Sequence, residues 1–289
     1  MLRNLLGRAG KVKLGEVYKT ICVWIGAEET RSLGLQLLGI FAEVGSGGRE
    51  SDIRSVFLDH LHSEMETNEE GKIRWGEDWQ RAYFCVEGLG KVQGGEVGKG
   101  KQAGKGKVGK GVADEVVSAL AHYHPWVKQA AGSFILASEI KPALRYDVVK
   151  GFCAALDSDV KFVNETIILN AIKGLARLAP TLEDDAIKWM FARLGGAAKK
   201  SSGGNRMNIF KSFAALIGVV DRVTVESFAA LILTAVHRAI SEAEAVGNAS
   251  DEDVEFMREL LVLVEDKLVR RSEDRRKARR RTGAKRWQT

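Results

Sequence analysis

Only three prolines, at positions 125, 142 and 180, interrupt 289 residues. Proline removes a backbone N–H and clashes with the preceding turn, so its scarcity leaves long stretches free to be helical. Abundant Ala and Leu favour the same outcome. What the chain then folds into depends on where its apolar residues recur.

They recur every three or four positions, the spacing of one helix face. Leu33, Leu37, Leu38, Ile40, Phe41 and Val44 form one such stripe, and Ile53, Val56, Phe57, Leu58 and Leu61 a second. Trp79, Tyr83, Val86 and Leu89 continue the series, followed by Val116, Val117 and Leu120. Val127, Phe134 and Ile135 resume it after a break at His124-Pro125, and Val148, Val149, Phe152 and Leu156 come next. Ile167 to Leu178 stops at Pro180, and Ile187, Met190, Phe191 and Leu194 stop at Gly195-Gly196. Phe210 to Ile217, Val225 to Val236 and Phe256 to Leu268 complete the set. Thr181-Leu-Glu-Asp184 and Ser250-Asp-Glu-Asp253 read as capping boxes that open helices. No strand pair is evident.

Helix starts fall in pairs near 14/30, 50/77, 113/126, 141/160, 182/207 and 223/251. A two-helix unit of roughly 40 residues is the period of HEAT and armadillo repeats. The expected fold is all-α, a HEAT/armadillo-like solenoid, with a compact helical bundle as the alternative. The expected division is 1–92 and 112–269 as helical repeats, 93–111 as a disordered Gly/Lys-rich loop, and 270–289 as a basic tail. Gln93 to Gly111 holds eight Gly and five Lys and lacks the apolar area to offset its chain entropy. Ala197 to Asn205 reads as a shorter solvated loop.

Charge is unevenly placed. Lys267 to Thr289 carries +9 and Lys91 to Gly111 carries +5; subtracting both from the total of +6 leaves −8 for the rest. Such a layout points to electrostatic tethers for a polyanion rather than a basic folded surface. No apolar run reaches the roughly 18 residues of a membrane span. Met1 to Leu6 is too short and interrupted for a secretory signal. Cys22, Cys85 and Cys153 are widely spaced without a CxxC, which argues for a reducing compartment and small buried residues.

Catalytic and metal motifs fail on inspection. Gly104 to Gly111 approaches GxxxxGK[S/T], but Gly111 replaces the hydroxyl residue and no strand precedes it. His60-x-His62 and His122-x-His124 have a spacing that puts the rings on different sides of a helix, without Cys or carboxylate partners at metal-site spacing. No GxSxG or Cys–His motif occurs. The expectation is a chain that is not an enzyme and takes no cofactor, metal or small-molecule substrate.

The strongest chemical feature is the tail: Arg270, Arg271, Arg275, Arg276, Lys277, Arg279, Arg280, Arg281, Lys285 and Arg286. Guanidinium groups grip phosphate bidentately, so this segment is the expected RNA contact, or a nuclear-import signal. Trp287 has no core to join and is free to stack on RNA or pack on a protein. Of Trp24, Trp75, Trp79, Trp126 and Trp189, four stand within apolar helical stretches or at helix starts, so core anchoring is the default reading.

One family resemblance joins these features. Asp78-Trp79-Gln-Arg-Ala-Tyr83-Phe84, then His124-Pro125-Trp126-Val127-Lys128, resembles the C-terminal region of the small-subunit processome component 20 family, also called the down-regulated-in-metastasis family. Its members have a Trp-rich helix and a "HPxWVR"-like step, with Arg where Lys128 stands here. Trp24-Ile25 with Thr30 to Val44 is similar to the upstream helix pair, and Glu165 to Leu178 to a later helix. Trp189 to Leu194 with Arg206 to Ala215 resembles the "WLFxKLS … RRxxxFKWFAA" pair. The arginine-rich ending agrees as well. Family members are much longer, so the resemblance implies that the chain would correspond only to their C-terminal end, as a fragment, a split subunit or a misannotated reading frame.

The resemblance implies a structural scaffold of the small-subunit processome, the 90S pre-ribosome, in the nucleolus of the nucleus. Its partners would be processome proteins, pre-rRNA and the U-three small nucleolar RNA, with no membrane. A helical-repeat adaptor for nuclear transport, or for another ribonucleoprotein assembly, is the alternative. That adaptor needs polar or aromatic residues repeating at one point of each repeat, and no such ladder is visible.

Overall fold

The computed structural model describes residues 11–45, 48–69, 73–97, 114–157, 165–246 and 250–285. Twelve α-helices are present among them: α1 (Lys11–Gly26), α2 (Arg31–Gly45), α3 (Glu50–Ser63), α4 (Trp79–Val97), α5 (Asp114–Ser118) and α6 (Pro125–Ala137), then α7 (Pro142–Asp157), α8 (Glu165–Leu178), α9 (Asp184–Lys200), α10 (Gly203–Val219), α11 (Arg222–Val246) and α12 (Asp251–Lys285). The chain is all-α as expected. Each proline lies where a helix tolerates it: Pro125 and Pro142 open α6 and α7, and Pro180 lies in a one-turn 3-10 segment, Ala179–Thr181.

The chain divides into two compact units, residues 1–151 with 162–170, and residues 152–161 with 171–289. In the first, α2 packs on α1 and α4, and α4 packs on α3 and α6. Leu35, Leu38, Phe41, Ile53, Phe57, Leu61, Leu89 and Ile135 are buried there. In the second, α9, α10, α11 and α12 pack on one another around Phe191, Phe210 and Phe213. Phe191 stacks on Phe213 at 6.1 Å and on Phe228 at 4.7 Å, centroid to centroid. Helix α11 is long and apolar enough, by length and composition, to cross a membrane. Here Val225, Ile232 and Val236 on it are buried in the core of the second unit.

Four local expectations are corrected. A two-stranded antiparallel ladder does form, β1 (Met65–Thr67) against β2 (Ile73–Trp75), in register Met65↔Trp75. Three residues per strand are too few to show alternation. Gly195-Gly196 does not end a helix; α9 runs through to Lys200. A Cβ on Gly195 would fall 2.4 Å from Leu231, so the glycine marks a close helix approach rather than a stop. Ala197 and Ala198 are buried on that helix, which shrinks the expected loop to Ser201-Ser202. The Thr181 capping box is absent: Thr181 donates its hydroxyl to Leu178 O at 2.7 Å, and Glu183 precedes α9 without a side-chain cap.

The Ser250 cap is present, with Asp253 N–H donating to Ser250 Oγ at 3.2 Å. Asp221 caps α11 in the same way, accepting from Thr224 N–H at 3.0 Å. Helix α4 continues to Val97, so residues 93–97 of the Gly/Lys-rich segment are helical. Residues 98–113 lie outside the described residues.

Close helix approach gives a paired prediction. A Cβ on Gly88 would meet the Phe57 ring at 2.2 Å, whereas one on Gly90 finds only Phe134 at 3.7 Å. Gly88→Ala should cost about 1–3 kcal/mol by overpacking. Gly90→Ala should gain up to about 1 kcal/mol of helix propensity. Urea denaturation of both variants checks the signs; equal shifts would contradict this packing.

Candidate functional site

The residues that converge most tightly lie where α4 and α6 begin. Asp78 caps α4, accepting from Arg81 N–H at 3.1 Å and from the Ser32 hydroxyl at 3.5 Å. Arg81 in turn donates to Glu64, which is buried, and pairs with Asp78 at 3.4 Å. Burial raises the Glu64 pKa above the usual carboxylate range, while the Arg81 cation opposes that rise. This buried pair fastens the β1–β2 hairpin to α4, because Gly76 N–H also donates to Glu64 O at 2.8 Å.

The step into α6 is built from two histidines used as caps. His124 N–H donates to His122 Nδ1 at 2.9 Å, and Trp126 N–H donates to His124 Nδ1 at 3.3 Å. Each Nδ1 accepts only if it carries no proton, so the geometry selects neutral rings. Around them stands an aromatic ladder. Trp75 lies 4.8 Å from His122, and His122 stacks on Tyr123 at 4.4 Å. Trp79 lies flat on His124 at 3.7 Å, with 1° between the planes. Trp126 meets Trp79 edge-on at 5.3 Å and Tyr83 at 6.0 Å. The Tyr123 hydroxyl donates to Glu77 O at 2.8 Å and ties the ladder back to the hairpin.

Beyond the ladder a groove of about 580 Å³ opens between α4 and α6. Tyr83, Val86, Glu87 and Gly90 supply its α4 wall, and Trp126, Ala130, Phe134 and Ala137 line it from α6. Trp126 is 54% exposed. Burial, and then the Glu87 charge, raise the Tyr83 phenol pKa above its ordinary value.

None of Trp24, Trp75, Trp79, Trp126 and Trp189 is fully buried, which corrects their reading as core anchors. Trp24 and Trp126 are exposed at 39% and 54%. They stand near helix ends. Cys85 and Cys153 are buried, and Cys22 only half-buried. Among the described residues no three His, Cys, Asp or Glu side chains converge as metal ligands.

His122 gives a pH prediction. Burial, followed by repulsion from His124 when that ring is protonated and from the Lys128 cation, lowers its pKa to about 4. The unfolded chain takes up this proton near its ordinary value of 6.5, before the folded chain does. Stability from this group is therefore complete above about pH 6.5 and lost as pH falls toward 4, up to about 3 kcal/mol. In His122→Asn the side-chain oxygen can still accept from the N–H two residues on. The melting temperature of this variant should fall less between pH 6.5 and 4 than that of the parent; parallel curves would contradict the assignment.

The expected RNA-binding residues lie elsewhere. Arg270, Arg271, Arg275, Arg276, Lys277, Arg279, Arg280, Arg281 and Lys285 are carried on α12, whose backbone is helical through Lys285. Arg286 and Trp287 lie outside the described residues. Met257, Leu260 and Val264 bury the first half of α12 in the second unit. The helix runs on through sixteen positions of the basic segment, Arg270 to Lys285. Arg, Lys and Ala are strong helix formers, and acids at the start with bases at the end complement the helix dipole.

No family model and no curated protein matches the chain. Among solved structures it is similar to an engineered protein from the Northeast Structural Genomics Consortium, at 12% identity and a TM-score of 0.44. That likeness covers 86% of this chain and 97% of the other.

Proposed function

We propose that this chain is a non-enzymatic helical-repeat scaffold of the small-subunit processome, holding nucleolar protein partners while α12 lies along pre-rRNA or the U-three RNA. The observation that carries this reading is the continuity of α12. One helix is anchored in a core by Met257, Leu260 and Val264 and then presents nine Lys or Arg against two acids, a charge of +7 over Arg270–Lys285. Those sixteen residues extend roughly 24 Å as helix, a span of several backbone phosphates.

Packing order supports the repeat reading. Within the first unit α2 touches both α1 and α4, and α4 touches both α3 and α6; within the second, α9 touches both α10 and α11. Contacts to the next helix and the next but one are what stacked HEAT or armadillo hairpins produce. The residues on which the family resemblance rests, Trp79, Tyr83, His124 and Trp126, meet in a single cluster. That cluster shapes a step between helices and contains no reaction chemistry of its own.

Sedimentation of the tagged chain from cell extract tests the assignment. It should travel with particles of pre-ribosomal size containing pre-rRNA and U-three RNA, and shift to light fractions after ribonuclease. A chain that stays in light fractions before ribonuclease would refute the processome role.

A further inference from the structure

We propose that a second copy of this chain lies antiparallel along α12, so that the acidic first half of the helix in each copy meets the basic second half of the other. The inference needs no RNA and holds whichever particle the chain belongs to.

Helix α12 is polarised in charge. Residues 251–266 hold seven acids against Arg258, a charge of −6 over sixteen residues. Residues 270–285, an equal length, carry +7. Arg258 is itself taken up by Glu244 of α11 at 3.2 Å. Met257, Leu260 and Val264 turn one face of the first half into the core. The opposite face is an exposed stripe of Glu252, Glu255, Glu259, Val262, Asp266 and Val269, at steps of three and four. An average step of 3.5 residues is the spacing at which one helix follows another. In the second half the nine basic positions are spread round the whole helix at 3.6 residues per turn, so every face of it includes them.

Two such helices can lie in two directions. In the same direction acids face acids and bases face bases, which opposes association. Antiparallel, each −6 segment lies along a +7 segment for roughly 24 Å, twice per dimer. The arrangement is two-fold symmetric and closes at two copies. Val262 and Val269, 56% and 58% exposed, stand near the middle of α12, where the copies cross. Covering them adds apolar burial to the charge pairing. An RNA strand matches the basic half alone and is repelled by the acidic one. A second copy of this chain matches both.

Sedimentation equilibrium of the full chain, freed of nucleic acid by nuclease, tests this. A monomer–dimer equilibrium is expected, with a dissociation constant that rises about tenfold or more between about 50 and about 300 mM salt. Glu252→Arg, Glu255→Arg and Glu259→Arg together all but cancel the charge of the acidic half. Arg275→Glu, Arg276→Glu, Arg279→Glu and Arg280→Glu together do the same to the basic half. Each variant alone should be monomeric. Their equimolar mixture should dimerise again, because the altered halves then match, and that rescue separates lost pairing from misfolding. A full chain that stays monomeric at low salt would overturn the proposal. So would a dimer indifferent to salt, a dimer kept by either variant alone, or a mixture that remains monomeric.

Discussion

A chain ending at Val269 will bind single-stranded RNA with a much shallower salt dependence than the full chain, which will lose affinity steeply as salt rises. The removed segment holds Arg270, Arg271, Arg275, Arg276, Lys277, Arg279, Arg280, Arg281, Lys285 and Arg286 against Glu273 and Asp274. Removing that +8 turns a net charge of +6 into −2. If six of the ten cations each displace a counterion from a single strand, the logarithmic slope is about −4. Between about 50 and 200 mM salt this amounts to roughly a 300-fold fall in affinity. The truncated chain keeps Met257, Leu260 and Val264, so circular dichroism should show its helical body intact. Filter binding of both chains at four salt concentrations checks the slopes. Equal slopes would place the phosphate contacts elsewhere.

The second large effect is expected in the core. Phe191 is fully buried between Phe213 and Phe228, the latter ring parallel within 5°. Phe191→Ala removes a ring that neighbours on two other helices cannot follow inward, at a cost of about 3–5 kcal/mol. Against a total of about 5–15 kcal/mol, that loss threatens the whole second unit. Phe191→Leu keeps most of the volume and should cost less than about 1.5 kcal/mol. Urea midpoints order the three proteins. A Phe191→Ala midpoint equal to the parent's would mean that the stack does not hold the unit together. Since α12 is anchored in the same core, Phe191→Ala should also weaken RNA binding wherever the unit is unfolded.

Helix stripes were legible because a buried face repeats every three or four residues and needs no knowledge of its partner. Ile187, Met190, Phe191 and Leu194 are all buried as their spacing implied. Local signals misled where their meaning depends on a distant neighbour. Gly195 reads as a stop on its own, but Leu231, far along the chain, makes it a packing surface. Thr181 has capping chemistry, yet its hydroxyl returns to Leu178 O within the 3-10 turn. The α4/α6 site was the least legible. Trp79 and His124 stack only because the fold joins segments 45 positions apart. The residues that suggested the family resemblance are the same ones, so pattern likeness marked the cluster even where periodicity could not explain it. The basic tail was plain from charge, and its start reads as a continuation of the last helix, but the distance the helix runs, to Lys285, was not legible. Like charge argues for fraying, and only the anchored first half of α12 shows what the segment continues from.

The decisive measurement is ultraviolet crosslinking of the tagged full-length chain in cells, identifying both the crosslinked peptide and the attached RNA. A scaffold that holds RNA through its last helix predicts adducts within residues 270–289, joined to pre-rRNA or U-three sequences. Adducts confined to the helical body, or to unrelated RNA, would contradict it.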